Sequence, residues 1–277
     1  MATQNTDTAD RVLWLSQRAL LAFFVFTILG PFVYALSVSL RPSDEWFAQS
    51  IYLIPKDPTL LNWVQSFDIL SQPLMNSFFI ATGTAVLSML IVIPGAYAMA
   101  RMDFPGKRPI FYSIIVVMMF PYLILIIPIS DIWYDIGLYN TIPGLWIAYQ
   151  AFIAPFALWV LRDYFEKLPA NLEEAAQIYG CSQLSAFLRV VLPLSAPAII
   201  AVGFLAFNIG WNDFLFANML SDGTGARPAV VTLFISTAGG EGRLWGRLMA
   251  QTLIIGIPPT VVYMFARSHI TNAFAVN

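Results

Sequence analysis

Histidine and cysteine each occur once in the 277 residues, as His269 and Cys181. An internal disulfide is therefore excluded, and so is the clustered Cys/His ligation that holds zinc. Charge is scarce too. Asp, Glu, Lys and Arg make up 11% of the chain, the net charge is −2, and no run of like charges exceeds a pair. A basic surface for nucleic acid is excluded by that balance. A phosphate-binding loop is missing as well, because Gly106-Lys107 is followed by Arg108 and lacks the upstream glycine of G-x-x-x-x-G-K-[ST]. The chain is expected to hold no metal or cofactor, to bind no ATP and to be no enzyme.

Apolar residues fill the space left by charge. They make up 58% of the chain, and the mean hydropathy is +0.72, more than one soluble core of this length could hide. The sequence reads as an all-α membrane protein with six transmembrane helices. Residues 1–18 form a cytoplasmic lead, of which Met1 to Asp10 is expected to be disordered, and Arg11 and Arg18 precede a first span over residues 19–40. That span is too long for the apolar core of a secretory signal peptide. Residues 41–75 read as a polar outer loop carrying Asp44, Glu45, Asp57 and Asp68. The second span, about residues 78–100, contains Pro94 and Gly95. The third, about 110–129, contains Pro121 and Pro128, and the fourth covers about 142–161.

A fifth span over about residues 196–220, an outer loop over 221–247 and a sixth span over about 248–266 complete the transmembrane domain, 19–266. Residues 267–277 form a short cytoplasmic tail. With both termini inside, nine Lys/Arg fall on the inner side and five outside, as the positive-inside rule asks. Arg227, Arg243 and Arg247 run against it.

Between the fourth and fifth spans lies a polar island, residues 169–193. Asn171 and Glu174 have the spacing of a capping box, and Glu173 and Glu174 fall in a helix's first turn, where acidic groups suit the dipole. Gly180 stops this helix as a left-handed residue, and Ser182 caps a second one that ends near Pro193. One apolar face is expected from Leu172, Ala175, Ala176 and Tyr179, continued by Leu184, Phe187, Leu188 and Val191.

The spacing Glu174-Ala175-Ala176, Gly180, Val190, Leu192-Pro193 resembles the E-A-A loop of the membrane-spanning subunits of binding-protein-dependent ABC importers, with valine where isoleucine is usual. Trp211-Asn212-Asp213-Phe214 and Asn272-Ala273-Phe274 make the likeness strongest to the maltose-type permeases of carbohydrate importers. The resemblance implies a cytoplasmic coupling helix pair that docks on ATPase subunits. Glu173, Glu174, Ala175, Ala176, Gly180, Leu192 and Pro193 would form it, with Glu174 as the acidic contact. It also implies a second homologous permease, two ATPase subunits that carry ATP and Mg, an extracytoplasmic sugar-binding protein and a place in the cytoplasmic membrane.

Asn208, Trp211, Asn212 and Asp213 put polar groups into the fifth span, where a carboxylate facing lipid is costly. One reading lines a sugar pathway with them, amides and carboxylate for hydroxyls and an aromatic ring for the C–H face. Another makes Trp211 an interfacial residue and Asn208 an interhelical hydrogen bond, with the sugar held by the partner permease. Import of a polyamine or an anion is the alternative within ABC transport. A freestanding channel or secondary transporter is the alternative outside it, although inverted repeats of broken helices are lacking.

Overall fold

The computed structural model describes residues 4–42, 53–223, 225–238 and 244–274, and all regular structure among them is helical. Asp44, Glu45 and Arg243 of the expected outer loops lie outside those residues, as do Met1–Thr3 and the last three residues of the tail.

Four helices are long and apolar enough to cross a membrane: Leu13–Ser39 within α1 (Gln4–Ser39), α2 (Leu61–Arg101), α5 (Ile142–Lys167) and Trp245–Ser268 within α12 (Trp245–Phe274). Two bent pairs bring the candidates to six when each is counted as one span. The expected number of spans is met, but two of them are not straight.

The first bent pair is α3 (Lys107–Met119) with α4 (Tyr122–Asp135), angled at 98°. Pro121 causes the break. It lacks an N–H and forces Phe120 into an extended conformation, φ −71° and ψ 132°, so the helix must restart at Tyr122. The helix also runs on through Asp131 to Asp135, past the expected end of the third span at about residue 129.

The second pair, at 74°, joins Gln183–Leu194 to α9 (Ala196–Asn212). The fifth span then stops at Asp213, φ −65° and ψ 129°, and resumes as the short α10 (Leu215–Leu220). Other expected boundaries move as well. Helix α1 starts at Gln4, where disorder was expected, because a helix once nucleated propagates at little cost into polar residues that contain no breaker. Helix α2 begins at Leu61, inside the expected outer loop, and absorbs Pro73 and Pro94. Residues 221–247 hold α11 (Ala229–Ala238), and α12 carries helix into the tail as far as Phe274.

The chain divides into two compact units. In the first, residues 1–69 with 236–254, the end of α1 is fastened to the start of α2. The Asn62 amide donates to Ser39 O at 3.0 Å and Arg41 O at 2.9 Å, and Trp63 Nε1 donates to Ser39 Oγ at 3.1 Å. Arg247 of α12 donates to Gln65 Oε1 at 2.8 Å. Arg41 donates to Ser37 Oγ at 3.2 Å. Two of the cations assigned to the outer side thus act as packing ties. A third, Arg227 in the second unit, pairs with Asp222 at 3.3 Å.

The second unit, residues 70–235 with 255–277, is built round α5. Leu145, Tyr149, Ile153, Ala157, Leu161 and Phe165 recur every four residues and are each no more than 1% exposed. Such a stripe lies along one side of a helix. Its first half packs with Ile80, Phe216 and Leu220, and its second half with Val92, Tyr97, Phe187 and Val202. Helix α9 approaches α2 closely where Gly210 faces Ala81 and Thr84. A Cβ at Gly210 would stand 3.0 Å from the Ala81 Cα. Gly210→Ala should therefore lower stability by about 1–3 kcal/mol through overpacking against backbone, seen as a lower midpoint in thermal unfolding of the purified protein. An unchanged midpoint would mean that the two helices separate freely.

Candidate functional site

Two regions carry the sequence-predicted residues, both in the second unit. In the polar island, α6 (Asn171–Ile178) follows α5 after three residues. Its N-cap is Ala170 in a helical conformation with no side-chain cap, so Asn171 lies inside the helix and the expected capping box is not formed. Gly180 behaves as expected. At φ +92° it ends the helix while Cys181 N donates to Ala176 O at 3.0 Å and Gly180 N to Gln177 O at 2.9 Å, the paired bonds of a Schellman turn. Ser182 then caps α7 (Gln183–Ala186) by accepting from Ser185 N at 3.2 Å.

A π turn, Phe187–Val191, links α7 to α8 (Leu192–Leu194), which contains Pro193. The expected apolar face is split by it. Phe187 and Val191 are buried, whereas Leu184 and Leu188 are 66% and 50% exposed. On α6, Leu172 and Ala175 are exposed, and Ile178 and Tyr179 reach 82% and 90%. The turn between α6 and α7 thus presents apolar side chains outward.

The two acidic residues separate. Glu174 is exposed, while Glu173 is only 8% exposed, with Oε1 2.9 Å from Arg101 Nε and Oε2 accepting from Tyr97 OH at 2.8 Å. Tyr97 and Arg101, one helical turn apart at the end of α2, were not singled out in the sequence. A tyrosine and an arginine at i, i+4 beside a span's C-terminal end, with an acidic doublet elsewhere in the chain, were the available signal.

The second region is a groove of about 390 Å³ lined by Tyr122, Phe152, Leu205, Asn208, Ile209, Asn212 and Asp213. The break after α9 places Asp213 at its edge. Asp213 Oδ2 accepts from Tyr149 OH and from Ala217 N, each at 3.1 Å, so one carboxylate oxygen caps α10. Asn212 Nδ2 donates to Asn208 O at 3.0 Å, and Asn208 Nδ2 to Phe204 O at 3.2 Å. Trp211 points elsewhere. It is 1% exposed, stacks on Phe207 at 5.8 Å and donates Nε1 to Ile255 O at 3.2 Å, so the groove's aromatic walls are Tyr122 and Phe152 instead.

Helices long and apolar enough to span a membrane, together with a groove lined by aromatic and polar side chains, are the features of a membrane transport protein. Residues 91–275 match the family of binding-protein-dependent transport system inner membrane components, and the chain belongs to that family. It is a multi-pass permease subunit of an ABC importer. It is 34% identical over 247 residues to the trehalose transport system permease protein SugB of Mycobacterium tuberculosis, covering 86% of this chain and 88% of that one. It is also 30% identical over 276 residues to the trehalose/maltose transport system permease protein MalG of Thermococcus litoralis, covering 96% and 95%. A bacterial ABC transporter involved in import of the acidic polysaccharide alginate shares the fold, with a TM-score of 0.81 at 23% identity over 95% of this chain and 98% of that one. Membership of this family sets aside the freestanding channel or secondary transporter.

Proposed function

We propose that this permease moves a sugar, mono- or oligosaccharide, inward across the cytoplasmic membrane. It would act with a second homologous permease, two ATPase subunits that carry ATP and Mg, and an extracytoplasmic sugar-binding protein. Both termini and the α6–α7 pair face the cytoplasm. The exposed Ile178, Tyr179 and Leu184 then form the apolar part of the ATPase dock, beside Glu174. This chain supplies no nucleotide site and needs no cofactor.

The groove's chemistry carries the sugar reading. Tyr122 and Phe152 offer ring faces to C–H surfaces, and Asn208, Asn212 and Asp213 offer partners to hydroxyls. An anion would meet a carboxylate and no cation among these lining residues. A polyamine would find one carboxylate, Asp213, among these lining residues, where a polycation with spaced charges calls for several. The relatives named for trehalose and for trehalose/maltose transport agree with a neutral sugar.

Asn212→Ala and Asp213→Asn, the second chosen because it preserves an oxygen for the α10 cap, are expected to assemble normally. Each should raise the half-saturating sugar concentration for uptake about tenfold, the effect of one lost hydrogen bond. Unchanged uptake in both would move sugar contact to the partner permease.

A further inference from the structure

Glu173 sits on a helix whose neighbours Asn171, Leu172, Glu174 and Ala175 are exposed, yet its own carboxylate is buried between two side chains of α2. Arg101 also donates Nη2 to Leu168 O at 2.5 Å, which closes the end of α5. The Tyr97 ring lies 4.3 Å from Phe187 in the π turn and 6.1 Å from Phe165 on α5. Four pieces of chain therefore meet at one buried polar triad: α2, α5, α6 and the π turn.

We propose that the Tyr97–Arg101–Glu173 triad is the latch by which displacement of α6 is passed to the membrane helices. Glu173 and its two partners are positioning residues, distinct from the exposed dock that the ATPase touches. A buried carboxylate pulled from its cation would be left uncompensated, so α6 and the end of α2 move together rather than slide. Helix α2 is continuous from Arg101 back to Ala81, about 30 Å at 1.5 Å per residue, and there it abuts Gly210. Gly210 lies two residues before Asn212 on the groove-lining helix. A push at Glu173 is thereby delivered where the solute path is lined.

This inference rests on the importer reading, and its test separates the two. The complete importer would be reconstituted in proteoliposomes with Glu173→Gln or Tyr97→Phe, both near-isosteric. Maltose and trehalose uptake would be measured beside ATP hydrolysis, with and without loaded binding protein. Expected for Glu173→Gln are normal copurification of the ATPase, hydrolysis within about twofold of the parent and uptake per ATP lower by roughly 3- to 30-fold. Tyr97→Phe should show a smaller fall, and exchanging the charges in the double variant Arg101→Glu/Glu173→Arg should recover part of the loss. An unchanged ratio of uptake to hydrolysis in both single variants would overturn the latch. So would a proportional fall of both activities with loss of assembled complex, which would make the triad packing alone. Absence of ATP-driven uptake of either sugar in the parent complex would instead overturn the proposed substrate.

Discussion

Gly180→Val is expected to abolish most uptake, by about tenfold or more, while the protein still inserts and folds. A valine Cβ would meet nothing within 4 Å, so no neighbour is displaced. The cost comes from φ +92°, a conformation that disfavours side chains by about 1–2 kcal/mol and β-branched ones most. Relief requires the Schellman turn to open, which releases the bonds from Gly180 N and Cys181 N and changes the angle between α6 and α7. The dock is then misaligned while the core is untouched, and coupling free energies of this kind correspond to roughly 5- to 150-fold. Gly180→Asn is the control, because asparagine tolerates the left-handed region and should keep most of the uptake. Normal uptake and normal ATPase copurification by the valine variant would remove the docking role from this loop.

Cys181 gives an all-or-none result. It is the only cysteine, partly exposed, and sits next to Gly180 in the turn between α6 and α7. A membrane-impermeant maleimide applied to intact spheroplasts should leave it unlabelled, and the same reagent should label it in inverted vesicles stripped of ATPase. Adding ATPase back should protect it. Labelling from the outer side would reverse the direction of every span and with it the assignment of the groove's open end.

The apolar runs made six crossings legible because hydrophobic length is a composition property, and Gly180 and Ser182 marked their turn because backbone sign and cap chemistry are local. Pro121 was visible as a breaker, but not that it would turn the chain by 98°, since prolines at 73, 94 and 128 are carried within helices by their packing. Trp211 and Asp213 were found, and their directions were not. Which way an interior polar residue points depends on where α9 ends and on contacts such as that of Asp213 with Tyr149, 64 positions away. The same holds for Glu173. Its sequence neighbours describe a helix start, while its partners lie more than seventy positions away. The four-residue stripe on α5 was not singled out either, because the helix is apolar on all its faces and only burial distinguishes Leu145 to Phe165.

In the π turn, Leu192 N reaches back five residues to Phe187 O. The turn winds an extra residue, so everything beyond it is rotated by about 100° from a plain α continuation, the angle one residue subtends at 3.6 per turn. Removing a single residue between Phe187 and Val191 would therefore regularise the backbone and leave the buried Ser195, Ala198 and Val202 facing their partners, whereas straightening the turn at unchanged length would swing them away by about 100°. For this stretch a change of length by one residue is absorbed within the turn, while a substitution that abolishes the wide turn at constant length shifts the register of α9.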